Sequence, residues 1–185
     1  EPVCTSENEQ TLHDAWVRLA ELLCEENNVI IADVFNEPYG VTWKDWRDAA
    51  SRIGNTVLEH CPRWLIGVQG VGRGTGECQQ YGSTDCWWGE NVLGILEQPI
   101  TLSVPHRLVL LPHTYGHGAQ SYMHAPNFPE NMPAVWHSLW GRIPLETGIP
   151  VILGEWGGRF EGDDALWQRR LQAYLRERRL SYFFW

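Results

Sequence analysis

Apolar residues recur at helical spacing through LHDAWVRLAELLCEE (12–26) and then give way to a run that is apolar except at Asp33, VIIADVF (29–35). The first pattern predicts an amphipathic helix. The second predicts a strand buried on both faces, as in a parallel sheet. WKDWRDAASRIGNTVLEH (43–60) predicts a second helix and WLIGVQG (64–70) a second strand. A long loop rich in Gly, Cys and Trp leads to a strand in RLVLLPHTYG (107–116) and to a helix in MPAVWHSLWGRIPLET (132–147), with proline in its first turn. PVILGEWGG (150–158), DDALWQRRLQAYLRER (163–178) and LSYFFW (180–185) supply a strand, a helix and a last strand. Five strands alternating with helices define an α/β chain, a parallel sheet with right-handed crossovers, and a single domain over residues 1–185.

Every strand closes on residues that chemistry can use. The first ends in Asn36 and Glu37, the second in Gln69, the third in His113 and Tyr115, the fourth in Glu155 and Trp156, and the last in Trp185. A carboxylate at the end of a buried strand pays for desolvation unless it is paired or used. In open and closed α/β folds alike, ligands sit beyond the carboxyl ends of the strands, so these residues share one topological position. Singly, each has a plain structural explanation: Glu37 as a turn cap, His113 as a hydrogen-bonded core histidine, Trp185 as filler. Together they read as a site.

Composition narrows the function. The chain has 185 residues, 43% of them hydrophobic, and a formal net charge of -9. Lys44 is its only lysine, and the arginines of RRLQAYLRERR sit at helical spacing among Leu171, Tyr174 and Leu175, a solvated helix face. Neither a nucleic acid nor a membrane is expected as a partner. No apolar run reaches the roughly 18 residues of a membrane span, and GVGRGTGE lacks the Lys-Ser/Thr pair of a phosphate loop. No metal site and no cofactor is expected. Of five cysteines, Cys78 and Cys86 bracket a polar loop as a disulfide would, which implies an oxidising, secreted setting.

Two glutamates at strand ends, in a pocket surrounded by tryptophan, suggest glycoside hydrolysis. With retention this needs one carboxylic acid to protonate the leaving oxygen and one carboxylate to attack the anomeric carbon, about 5–5.5 Å apart. Asparagine beside the acid suits a sugar hydroxyl, and a tyrosine near the second glutamate can hold it ionised. Eleven tryptophans offer flat apolar faces for pyranose rings.

VFNEPYG, LPHTYG, ILGEWGG and the terminal FFW resemble, in that order, motifs at barrel strands four, six, seven and eight of the family 5 glycoside hydrolases. CWWGENVLGILEQPITLSVPHRLVLLPHTYG and NFPENMPAVW look most like the endo-β-1,4-glucanase branch. The resemblance implies a (β/α)8 TIM barrel of which this chain holds strands 4 to 8, with strands 1 to 3 absent. It implies a retaining double displacement with Glu37 as acid/base and Glu155 as nucleophile, and it puts Asn36, His113, Tyr115 and Trp185 on further active-site positions. Trp87 and Trp88 match a loop lining the glycan cleft, and Trp156 joins the expected substrate-binding residues. The partners so implied are a polysaccharide and the missing N-terminal barrel segment, without which the fragment is expected to be inactive. Two other readings stay open: a related glycanase acting on xyloglucan, mannan or β-1,3-glucan, and a non-catalytic glycan-binding barrel.

Overall fold

Three short parallel strands lie side by side in the order in which the chain makes them: β1 (Ile31–Asp33), β2 (Leu65–Val68) and β3 (Leu108–Leu110). Ala32 stands opposite Ile66, and Gly67 opposite Val109. β4 (Ile152–Trp156) and β5 (Ser181–Phe184) form a second parallel pair. The two groups meet through bridges between Leu110 and Val151 and between His113 and Glu155. Pro112 explains the interruption: it has no N–H, so the ladder loses a rung there, although its carbonyl still accepts from Gly154 N at 2.8 Å. The five strands thus follow one another in chain order. Among the described residues, β1 and β5 are each paired on one side only. The computed structural model describes residues 6–72, 86–118 and 120–185.

Helices pack on this curved sheet as the periodicity predicts, with one exception. α1 (Ser6–Leu23) lies against α2 (Trp43–His60), and α2 buries the stripe Trp46, Ala49, Ala50, Ile53 and Val57. Thr42 caps α2 by accepting from Asp45 N at 3.2 Å, a bond of about 1 kcal/mol in typical helices. Gly54 lets α2 approach closely, since a Cβ there would come within 2.9 Å of Ile66. Arg52 grips both oxygens of Glu9 and holds that carboxyl below its ordinary value, against a smaller opposing effect of burial. The expected helix over 132–147 is broken into α3 (Met132–Trp136), a π segment (His137–Gly141) and α4 (Ile143–Thr147). Pro144 cannot donate to the carbonyl four residues back and crowds it, so Arg142 N reaches to His137 O instead. α5 (Gly162–Arg178) follows, and Trp136 and Trp167 meet edge to face at 5.6 Å.

One further expectation needs correction, and one disulfide is an addition. Tryptophan here is chiefly core material: Trp43, Trp46, Trp64, Trp136, Trp140, Trp156 and Trp167 are all buried, leaving few of the eleven to face a glycan. Cys24 and Cys61 form a disulfide that ties the end of α1 to the residue after α2. No local pattern announces it, because it depends on how two helices dock. Of the expected Cys78–Cys86 pair, Cys78 lies outside the described residues, while Cys86 is buried and disulfide-bonded. No described helix is long and apolar enough to cross a membrane.

Candidate active site

The carboxyl ends of the strands gather a cleft of about 450 Å³, lined by Asn36, Glu37, Trp87, Trp88, Tyr115, His117, Glu155 and Trp185. A larger hollow of about 610 Å³ lies at the opposite, amino ends of the strands, against Leu65, Leu108 and Pro150. It is mainly apolar and has no carboxylate in its wall, whereas Glu37 and Glu155 both face the smaller cleft.

At the centre stands His113, buried to 1% exposure. Its Nδ1 lies 3.1 Å from Glu37 Oε1 and 3.3 Å from Glu155 Oε2, and with the proton on Nδ1 the ring donates to either carboxylate. One donor atom from each of the three side chains falls within 4.8 Å of the other two, the only such grouping among the described residues close enough to hold a cation. Tyr115 donates its phenol proton to Glu155 Oε2 at 2.5 Å. Burial first, then that bond and the nearby negative charge, push the phenol above its ordinary value, so Tyr115 stays a donor throughout the working pH range.

The two glutamates are carried differently. Glu155 sits within β4, and its carbonyl accepts from Thr114 N at 3.0 Å. Gly154 beside it is obligatory, since a Cβ there would meet Leu111 O at 2.9 Å and His113 at 3.0 Å. Glu37 follows the end of β1 in a left-handed turn, φ 48°. Its N–H donates to Gln69 Oε1 at 2.7 Å, and Gln69 Nε2 donates to Asp33 Oδ2 at 2.6 Å. Burial pushes Asp33 up to about 6 against the lowering effect of Gln69.

The aromatic wall has its own support. Trp87 donates from Nε1 to Tyr115 O at 3.0 Å and stands edge-on to Tyr115 and His117. The buried Glu90 fixes its loop, accepting from Trp87 N at 2.8 Å, Thr114 Oγ1 at 2.6 Å and Tyr122 OH at 2.8 Å. Trp88 and Tyr39, both exposed, pair at 6.0 Å.

The structure therefore brings together Asn36, Glu37, His113, Tyr115, Glu155, Trp87, Trp88 and Trp185. It does not bring Trp156, which turns away from the cleft and is buried against Tyr182 and Phe184, ring centroids 5.4 and 5.2 Å away. Gln69, Asp33, Glu90 and His117 are additions. Of these only Gln69 carried a signal in the sequence, as the end of its strand.

A parallel sheet carrying paired carboxylates and an aromatic wall at its carboxyl rim is the architecture of a glycoside hydrolase barrel. Residues 4–185 match the family described as Cellulase (glycosyl hydrolase family 5), and the chain belongs to that family. It is 39% identical over 183 residues to an endoglucanase of Paenibacillus polymyxa, a match covering 92% of this chain and 45% of that protein. It is 37% identical over 170 residues to the major extracellular endoglucanase of Xanthomonas campestris pv. campestris, covering 85% and 34%. A hyperthermophilic endocellulase from the archaeon Pyrococcus horikoshii superposes with a TM-score of 0.90 at 31% identity, over 100% of this chain and 57% of that one. The chain thus spans less than half the length of these two endoglucanases, and its five strands are part of a TIM barrel.

Proposed function

We propose that the catalytic domain to which these residues belong is an endo-acting β-1,4-glucan hydrolase that retains anomeric configuration. The observation that carries this reading is the pair Glu37 and Glu155, each with a carboxylate oxygen within 4.8 Å of one on the other, with His113 between them. Such closeness suits a covalent glycosyl intermediate, whereas inversion needs carboxyls about 6.5–9.5 Å apart, with room for a water. Glu155, hydrogen-bonded by Tyr115, attacks the anomeric carbon. Glu37 protonates the departing oxygen, then takes a proton from the water that releases the sugar. Asn36 binds a hydroxyl of the sugar under attack, and Trp87, Trp88 and Trp185 stack on pyranose faces.

The choice of glucan rests on the relatives, among them the Pyrococcus horikoshii endocellulase, a variant of which has been solved with cellotetraose. A secreted setting is supported by the Cys24–Cys61 disulfide. Because the chain covers only part of its relatives, the activity is assigned to the complete domain, and the isolated chain is expected to be inert.

The test is hydrolysis of carboxymethyl-cellulose, xyloglucan and mannan by the complete domain, with the anomer of the first product read by NMR. Mid-chain cleavage of the cellulose derivative with the β-anomer appearing first is expected. Preference for mannan or xyloglucan would reassign the substrate, initial α-anomer would overturn retention, and no cleavage at all would favour a glycan-binding barrel.

A further inference from the structure

We infer that Gln69, itself held by Asp33, is the positioning residue that sets Glu37 for proton delivery; the inference rests on the reading of Glu37 as acid/base. A non-glycine residue in the left-handed region is disfavoured, so the conformation of Glu37 at φ 48° needs an external hold. Its backbone N–H meets Gln69 Oε1 at 2.7 Å. Gln69 is fully buried, and both ends of its amide are engaged, since Nε2 donates to Asp33 Oδ2 at 2.6 Å and weakly to Asn36 Oδ1 at 3.4 Å. A flipped amide would set N–H against N–H and oxygen against carboxylate, so only one orientation works. The main chain is anchored as well, because Trp46 Nε1 donates to Gln69 O at 2.8 Å.

Asp33 lies on β1 four residues before Glu37, and Gln69 follows β2. The hydrogen bonds therefore close a ring from β1 across to β2 and back to the turn after β1. That ring fixes the direction in which the Glu37 side chain leaves the backbone, and hence where its carboxyl meets His113 Nδ1. Burial of Asp33 at the cost of a raised titration fits the same role, because a carboxyl is retained there to orient one amide.

A role confined to Glu37 has a kinetic signature that general destabilisation lacks. In the complete catalytic domain, Gln69→Ala should lower kcat/KM on cellotetraose about 30-fold or more, since misplacement by about 1 Å can cost on the order of a hundredfold. On an aryl β-cellobioside with a nitrated phenol as leaving group, which departs without a proton, kcat/KM should change less than about threefold. Asp33→Leu should reproduce this split, and Asp33→Asn, which keeps an acceptor for Gln69 Nε2, should restore kcat/KM on cellotetraose to within about threefold of the parent. Gln69→Met, similar in length and unable to accept from Glu37 N–H, replaces Gln69→Ala if that variant does not fold. Equal losses on both substrates, or no loss on cellotetraose, would overturn the positioning role. An inactive parent domain would overturn the reading of Glu37 instead.

Discussion

The two glutamates of the cleft are placed by opposite strategies. Glu155 lies inside a strand, β4, at the place where its register against β5 shifts between Leu153 and Trp156, and its backbone is bonded to Thr114; its partners, Tyr115 and His113, come from one neighbouring segment. Glu37 stands past the end of its strand in a strained turn, and a buried side-chain relay from Asp33 through Gln69 restrains it. The contrast follows the chemistry proposed for each. A nucleophile has to be aligned with one carbon and kept ionised, which a strand and a phenol accomplish. An acid that later acts as a base has to serve two oxygens in succession, and the left-handed turn at φ 48° sets the direction of the carboxyl apart from that of the strand before it.

The largest effect separates the two by substrate. Glu155→Gln should reduce kcat/KM below detection on both cellotetraose and an activated aryl cellobioside, because no covalent intermediate can form. Glu37→Ala should lose on the order of a thousandfold on cellotetraose, within the range of general acid catalysis, and far less on the aryl substrate. Parallel losses in Glu37→Ala would show that the two carboxyls do not divide the work as the geometry suggests.

What the sequence made legible was whatever depends on local pattern. Strand and helix alternation could be read because runs such as VIIADVF and the stripe of α2 are long and of clear period, and the strand-end rule then gathered Asn36, Glu37, His113, Tyr115 and Glu155 on one rim. What depends on contacts between distant segments was not legible. Gln69 was visible as a strand end but not as the partner of Glu37, since that requires the register of β1 against β2. Glu90 looks like any loop glutamate until Thr114, Tyr122 and Trp87 close on it. Trp156 was misplaced because proximity in sequence to Glu155 does not bring its side chain to the cleft; it turns away and is buried against Phe184. The Cys24–Cys61 bond needs the docking of α1 on α2 before it can be drawn.

The next effect concerns stability and is read on the Glu37 side. Asp33 titrates at about 6 in the fold against an ordinary 3.8, so the folded state keeps a proton that the unfolded chain has already released. Stability therefore falls as pH rises between these two values and stays lower above them, by on the order of 3 kcal/mol as an upper figure. Asp33→Asn removes this slope. Urea midpoints measured from about pH 4 to about pH 7 should show the variant gaining on the parent as pH rises. A difference that does not change with pH would mean that the carboxyl is solvated and that the relay to Glu37 is looser than the distances indicate.

The smallest effect tests the Glu155 side. Tyr115 donates at 2.5 Å to Glu155 Oε2, and its phenol is held protonated, so in the proposed mechanism it stabilises the ionised form of Glu155. Tyr115→Phe leaves the ring, its edge contact with Trp87 and the backbone carbonyl that receives Trp87 Nε1, and removes one donor. A hydrogen bond to a charged group contributes about 1.5–3 kcal/mol, and His113 Nδ1 remains to share the charge, which places the loss at the lower end, about tenfold to thirtyfold in kcat/KM. The decisive feature is where the loss occurs. In the proposed mechanism Glu155 attacks whatever the leaving group, so Tyr115→Phe should lose equally on cellotetraose and on the activated aryl cellobioside, whereas Gln69→Ala should lose on the first alone. If the activated substrate rescued Tyr115→Phe, the phenol would be serving proton delivery, and the division between a strand-held nucleophile and a turn-held acid would fail.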